Sequence, residues 1–295
     1  LFRSIIGLIL GAYVLSMIRG EHQSKGGSSP IIRFILGFFV MIGALMFLGC
    51  PIRMILRLGG GDLNALFGIA GFAGGIGFGT IFLKKGYSLQ RTYALSKLES
   101  AMMPAIQVGL LVLVVTAPAF IFFSQKGPGA MHAPWLISLA AGLVVGGLSQ
   151  FSRLCTVGGF RDLFLFKKSI LIFGYLAVLI GVFVVNISFG NFHLGFENQP
   201  IAHTDGLWNF LGMALAGFCS VLLGGCPLRQ LIMTGEGNSD SAVTVLGLAA
   251  GAAFAHNFGL AASGAGPTLN GEIAVGVGFV VAFIIAVLNT KRSNA

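Results

Sequence analysis

The sequence is short of charge, and above all of negative charge. Only 9% of its 295 residues are charged, and Asp and Glu together number 9 against 18 for Lys and Arg. A soluble globular domain carries about 25% charged residues, so this scarcity argues against that class. What fills the sequence instead is 56% hydrophobic residues, with a mean hydropathy of +0.92. We therefore expect an all-α polytopic membrane protein.

Signatures of catalysis and of metal binding are also absent. The sequence contains no CxxC, HExxH or P-loop motif, and its five histidines are scattered. We therefore expect no catalytic residue, no metal and no cofactor. Four cysteines without an extracellular cluster do not predict a disulfide framework. The basic residues lie in short loops rather than along an aromatic-rich face, so nucleic acid is not an expected partner.

Nine apolar runs are long enough to cross the hydrocarbon core of a bilayer as helices. The whole chain, residues 1–295, is therefore predicted to be a single transmembrane domain in contact with a lipid bilayer. The runs lie near residues 2–18, 33–49, 63–83, 103–123, 134–150, 169–189, 206–224, 241–262 and 271–289.

Basic residues fall mainly on one side of these spans. All but four of the 18 Lys and Arg residues lie in loops on that side, and the exceptions are Arg3, Arg53, Arg57 and Lys126. Loops rich in Lys and Arg usually stay in the cytoplasm. The C-terminus is therefore predicted to be cytoplasmic, and Leu1 is predicted to start outside.

One segment of the sequence occurs twice. GCPIRMILRLGGG at 49–61 and GCPLRQLIMTGEG at 225–237 align without gaps at an offset of 176 residues, 226 − 50. This internal duplication predicts a first repeat over about 1–123 and a second over about 134–295. An odd number of spans separates the copies, so they are expected to face opposite ways, as in inverted-repeat transporters.

Each copy predicts a short re-entrant helix. Cysteine stands at the N-cap, proline lies in the first turn, and glycine ends the segment about eight residues later. Eight residues rise only about 12 Å, less than half of the hydrocarbon core. The helix N-terminus and a nearby arginine would then favour an anion in an adjoining cavity. The alternative is a tight turn with a buried structural cysteine. The residues concerned are Cys50, Pro51 and Arg53, then Cys226, Pro227 and Arg229.

A third cysteine motif, QFSRLCTVGGFRDLF at 150–164, places Cys155 two residues after Arg153. The adjacent Arg161 and Asp162 in this motif indicate either part of a site or a charged pair at the membrane edge. Cys155 precedes Cys226 by 71 residues, 226 − 155. The duplication would place its counterpart upstream of residue 1, so we expect the native chain to begin earlier, with a fourth cysteine motif.

Polar residues also interrupt the eighth apolar run. His256 and Asn257 lie in AFAHNFGLA, where polar side chains are costly and therefore indicate a purpose. Hydrogen bonding between helices and a place in the site are both open. Cys219 lacks the Pro, Arg and Gly context of the other cysteines, which favours a packing role.

The motifs together resemble a known family. GCPIRMILRLGGGDLNAL, SRLCTVGGFRD and GGCPLRQLIMTGEGNSD followed by AAFAHNFGLA are similar to YeeE/YedE sulfur-compound transporters, and most to the YedE/FdhT branch associated with selenium metabolism. The resemblance implies an inverted-repeat permease in the bacterial inner (plasma) membrane. It also implies that Cys50, Cys155 and Cys226 line a central path for a sulfur anion such as thiosulfate. Charge reasoning adds Arg53 and the residues Arg153 and Arg229.

The expected function is transport rather than catalysis. We expect a permease that passes a small selenium- or sulfur-containing anion along thiols to supply selenium metabolism, with a cytosolic thiol or selenium carrier protein as a candidate acceptor. The alternatives are a thiosulfate uptake permease, a membrane thiol-dependent selenium or sulfur redox enzyme, and an assembly partner of a selenoenzyme. Cysteine-dependent uptake of an unchanged compound would separate the transporters from the other two.

Overall fold

The computed structural model describes residues 2–116, 133–168 and 170–290, and this part of the chain is almost entirely helical. A short antiparallel pair of strands, β1 (Lys25–Gly26) and β2 (Tyr93–Ala94), is the exception. The helices are α1 (Phe2–Ile18), α2 (Pro30–Met46), α3 (Pro51–Gly59), α4 (Asn64–Lys84), α5 (Lys97–Thr116), α6 (Trp135–Ser152), α7 (Thr156–Phe166), α8 (Ile170–Ser188), α9 (Gly206–Leu223), α10 (Pro227–Gly235), α11 (Ser239–Asn257) and α12 (Leu269–Leu288).

Each of the nine predicted spans coincides with one of the long helices, which the structure gives as α1, α2, α4, α5, α6, α8, α9, α11 and α12. Residues 117–123 of the fourth predicted span, and Lys126 beyond it, lie outside the described residues. The prediction of an all-α polytopic membrane protein is confirmed. The orientation inferred from the basic residues stays a prediction.

Six segments of the described chain are long and apolar enough to cross a membrane: Pro30–Gly59, Asn64–Lys84, Trp135–Phe166, Ile170–Ser188, Gly206–Gly235 and Leu269–Leu288. Ser4–Ile18 and Pro104–Thr116 are shorter apolar helices. Helix α11 is not among either group, because it begins with Ser and Asp and ends with His and Asn.

Three short helices stand where the cysteine motifs predicted them. Helices α3 and α10 are each 9 residues long, begin at the proline after the cysteine and end at a glycine, Gly59 or Gly235. Helix α7, of 11 residues, begins directly after Cys155. The predicted short helices are therefore confirmed, and their depth in a membrane stays a prediction.

The chain divides into two compact units. Unit 1 comprises Leu1–Ser28, Arg91–Leu154 and Arg229–Val243, and unit 2 comprises Ser29–Gln90, Cys155–Leu228 and Thr244–Ala295. In unit 1, α1 packs closely against α6. A Cβ added at Gly7 would lie 2.7 Å from the Leu139 carbonyl oxygen, and one added at Gly142 would lie 3.0 Å from the Gly7 Cα. Small residues thus allow the two backbones to touch, as in many membrane helix pairs.

Unit 2 is built around α9, which packs against both α2 and α4. A Cβ added at Gly71 of α4 would overlap the carbonyl oxygen of Phe210 in α9. A Cβ added at Gly247 of α11 would overlap the carbonyl oxygen of Phe34 in α2. Both residues of the second pair differ from those of the first by the offset of 176, and in opposite directions. Such reciprocal contacts are typical of two copies related by a twofold axis, which supports the duplication; the inverted orientation stays a prediction.

Candidate functional site

Each motif cysteine precedes a short helix. Cys50 is the extended N-cap residue of α3, and its sulfur lies over the N–H groups of Ile52 and Arg53 without full hydrogen-bond geometry. Cys155 is the extended N-cap residue of α7, and its sulfur accepts a hydrogen bond from the Gly158 N–H at 3.2 Å. Cys226 directly precedes Pro227, the first residue of α10. All three thiols are therefore held where the helix dipole is positive.

The three thiols meet inside unit 2. A hydrogen bond joins the side chains of Cys155 and Cys226, and Cys50 lies within electrostatic range of Cys226. Cys155 and Cys226 belong to one buried cluster, in which they are 7% and 1% exposed, while Cys50 is half-buried. All three are free cysteines. Positions distant in sequence therefore form one buried thiol cluster, which we define as Cys50, Cys155 and Cys226.

Aromatic rings wall this thiol cluster. The ring of Tyr175 in α8 packs edge-on against Phe160 in α7, with 5.9 Å between the ring centroids. Phe160 packs in the same way against Phe72 in α4, at 6.0 Å. Tyr175 belongs to the same buried cluster as Cys155 and Cys226. The thiols are therefore shielded by rings with little freedom to move.

Polar atoms without a protein partner occur beside these thiols. The Nε of Arg53, the Oγ1 of Thr156 and the hydroxyl of Tyr175 are all buried and make no hydrogen bond. Buried polar groups in proteins are nearly always hydrogen-bonded. Three unpaired groups next to three thiols are typical of a place that a polar ligand can occupy.

The other two arginines predicted for the site are ion-paired within unit 1. Glu236, which is 8% exposed, accepts from Arg229 Nη2 at 2.7 Å and from Arg153 Nη1 at 3.1 Å. Arg153 also pairs with Glu21 at 3.0 Å. A hydrogen bond from Arg19, and more weakly the charge of Arg153, lower the pKa of Glu21 despite the opposing effect of burial. A cavity of about 210 Å³ adjoins this group of charges, lined by Gly20, Glu21, Gln23, Lys25, Arg153 and Glu236.

The comparison with known protein families bears on this arrangement. Residues 151–290 match the model of the family described as Sulphur transport. Residues 151–290 belong to the YeeE/YedE sulfur transport family. The match contains two motif cysteines, Cys155 and Cys226, and the first GCP motif is tied to the second by the duplication. No curated protein matches the chain. The predicted resemblance to the family is confirmed, and its selenium branch stays a prediction.

The remaining predicted residues of this sulfur transport family member divide into two sets. Pro51 and Pro227 are buried at the starts of α3 and α10. His256 and Asn257 are exposed at the end of α11, where the Asn257 amide donates to the Ala253 carbonyl of its own helix at 2.8 Å. The structure therefore does not bring His256 and Asn257 to the buried thiols. Within the described ranges, no group of three or more His, Cys, Asp and Glu side chains is placed to hold a metal.

Two features of this family member were missed from the sequence. One is Tyr175, whose only signal was a lone tyrosine in the apolar run ILIFGYLAVLIG. The other is a buried ion pair after α3, in which Arg57 Nε lies 2.6 Å from Asp62 Oδ2 and Arg57 Nη1 donates to the Phe47 carbonyl at 2.6 Å. Asp62 also accepts from the side chain of Asn64 at 2.9 Å. These bonds fix the C-terminal end of α3 and so hold its N-terminal cysteine in place.

A buried histidine lies beside that ion pair. His203 is 2% exposed, and its Nε2 lies 2.8 Å from the carbonyl oxygen of Met46. Burial lowers the pKa of His203, and the nearby Arg57 charge acts in the same direction. The imidazole is therefore neutral at pH 7 and donates its Nε2 hydrogen to Met46, which fastens the chain before α9 to the end of α2.

Proposed function

We propose that this member of the sulfur transport family is a permease that carries a small sulfur- or selenium-containing anion past Cys50, Cys155 and Cys226 to supply selenium metabolism. The observation that carries the proposal is the meeting of three thiols, each at the N-terminus of a different short helix, in one buried cluster of unit 2. No covalent framework explains this convergence, because all three cysteines are free.

The local charges support an anionic cargo. The N-termini of α3 and α7 place partial positive charge at the thiols. Arg53 adds a full positive charge next to Cys50 and has a buried Nε without a partner. A cation would meet the wrong sign of field here, whereas an anion would complete the missing hydrogen bonds.

The thiols themselves support a chalcogen cargo. Sulfur is polarisable and a thiol hydrogen is a weak donor, so a thiol contacts sulfur or selenium without holding it tightly. Conduction needs successive weak sites, because a cargo bound too tightly is not released. The hydrogen-bonded pair of Cys155 and Cys226 provides two such contacts in direct succession. In this proposal the cargo leaves chemically unchanged.

The finer parts of the proposal follow from the sequence. The duplication and the reciprocal glycine contacts support an inverted repeat, in which the halves present the thiol cluster in turn to opposite sides of the membrane. The distribution of basic residues supports a C-terminus on the cytoplasmic side of a bacterial inner membrane. A cytosolic thiol or selenium carrier is the proposed acceptor of the cargo.

The closeness of Cys155 and Cys226 also favours a second candidate, a thiol-dependent redox enzyme. Two adjacent thiols can give up two electrons and two protons and form one disulfide, while an oxidised cargo such as tetrathionate takes up the electrons and splits into two thiosulfates. The products distinguish the candidates, because transport returns the compound that was supplied.

The test measures uptake into proteoliposomes of radiolabelled thiosulfate and selenite, with the compound inside identified by chromatography. Cys226→Ala should abolish uptake. Cys219→Ala is the matched control, since Cys219 is also fully buried but lies in a different apolar cluster, and it should transport like the unmodified chain. Equal uptake by both variants would remove the thiol cluster from the transport path, and a changed compound would favour the enzyme.

A further inference from the structure

Helix α8 contains a single buried side chain, that of Tyr175. The rest of its surface is mostly exposed, with 6% of its most apolar stretch buried, as expected for a helix that faces lipid. Tyr175 is 7% exposed and packs into the cluster that contains Cys155 and Cys226. Helix α8 thus contributes to the interior of unit 2 mainly through one phenol.

The hydroxyl of Tyr175 is buried without a hydrogen-bond partner. Tyrosine normally finds a partner for its hydroxyl when it is buried, and a phenylalanine would fill the same space without that cost. The ring is held edge-on against Phe160, so the hydroxyl has a fixed direction. The thiols of Cys50 and Cys226 both lie within electrostatic range of the phenol, which places this unpaired donor among the thiols.

We propose that the Tyr175 hydroxyl binds the transported anion by donating a hydrogen bond to an oxygen atom of it. This inference rests on the proposed function and specifies the cargo class as an oxyanion with a soft sulfur or selenium atom. The phenol is a good donor for an anionic oxygen, and such charge-assisted hydrogen bonds are short and strong. The thiols offer soft contacts to the chalcogen. One anion such as thiosulfate presents both kinds of atom, whereas sulfide or selenide presents only the soft one.

The thermodynamic consequence is a loss of affinity when the hydroxyl is removed. A hydrogen bond to a charged group contributes enough to change an affinity by roughly tenfold. Tyr175→Phe keeps the ring and its contact with Phe160 and removes no hydrogen bond from the unliganded protein. We therefore expect an unchanged melting temperature and a KM for thiosulfate uptake raised about tenfold, with a much smaller change in maximal rate.

The matched control is Tyr87→Phe. Tyr87 is also 7% exposed and also has a buried hydroxyl without a partner, but it packs in the other apolar cluster of unit 2. The experiment compares the unmodified chain, Tyr175→Phe and Tyr87→Phe. It measures thiosulfate uptake into proteoliposomes and thiosulfate binding to the detergent-solubilised protein by calorimetry. Tyr87→Phe should match the unmodified chain in both measurements.

The outcomes separate this inference from the proposed function. If the unmodified chain transports thiosulfate and Tyr175→Phe has the same KM and binding constant, the inference is overturned while the permease stands. If the unmodified chain does not transport, the permease fails, and the binding measurement still decides the role of Tyr175. Weaker thiosulfate binding by Tyr175→Phe alone supports the inference, whereas equal weakening by both variants overturns it.

Discussion

The two GCP motifs have nearly the same backbone and very different charge. Both begin with Cys, Pro and an arginine two residues beyond the proline, and both form helices of 9 residues. In the second copy, Arg229 is neutralised by Glu236. In the first copy the position equivalent to Glu236 is Gly60, and within the described ranges Arg53 has no carboxylate partner. One duplicated framework therefore has an uncompensated cation at one end and a compensated one at the other.

This difference gives the proposed transport path a direction. An anion is attracted to the uncompensated Arg53, which the basic-residue rule places towards the outside. Glu236 weakens the attraction of the equivalent Arg229 on the predicted cytoplasmic side, where a cargo has to be released. Capture with higher affinity and release with lower affinity suit a system of uptake. The comparison teaches that symmetry of backbone does not require symmetry of affinity.

The largest expected effect concerns a second difference between the copies. The buried pair of Arg57 and Asp62 in the first copy corresponds to Met233 and Asn238 in the second. Asp62→Asn leaves the Arg57 charge buried and alone, which typically costs about 3–5 kcal/mol. Arg57→Met combined with Asp62→Asn reproduces the second copy and should recover most of that loss. Thermal unfolding in detergent measures both, and a double variant as unstable as the single one would contradict this account.

The next effect tests the asymmetry of the two arginines directly. Arg53→Gln should weaken thiosulfate binding by roughly tenfold or more, because a charged donor to an anion is lost. Arg229→Gln should have a much smaller effect, because Glu236 already offsets the charge of Arg229. Calorimetric titration of both purified variants provides the comparison. Equal losses would mean that Glu236 does not compensate Arg229, and the direction argued above would be lost.

The sequence predicted the helices of this protein better than its polar contacts. Apolar runs and the Cys-Pro-to-Gly signals are local, so the long helices and α3, α7 and α10 could be located in advance. The meeting of Cys50, Cys155 and Cys226 needed the family resemblance, because single-sequence patterns say nothing of contacts between distant positions. The pairing of Arg153 with Glu236 could not be predicted for the same reason. Tyr175 was missed since one tyrosine in an apolar run does not alter the hydrophobic pattern.

A smaller effect is expected when the compensation itself is removed. Glu236→Gln leaves Arg229 and Arg153 without their shared carboxylate, so the second motif should come to resemble the first. Thiosulfate should then bind several-fold more tightly, and its release should slow, which lowers the maximal uptake rate at saturating substrate. Binding by calorimetry and transport kinetics in proteoliposomes together measure this. Asp240→Asn serves as the control, since Asp240 lies in the same turn but accepts from the N–H groups of Gly27 and Ser28.

The smallest effect is the pH dependence of the outer part of the unit 1 charges. The pKa of Glu21 is lowered, first by its hydrogen bond from Arg19. A carboxylate whose pKa is lower in the folded than in the unfolded chain contributes stability that is present above the unfolded value and lost as pH falls through the folded one. The melting temperature of the unmodified chain should therefore slightly exceed that of Glu21→Gln above about pH 5, and the difference should shrink on further acidification. A difference that grows as pH falls would contradict this sign and with it the ion pair of Glu21 with Arg153.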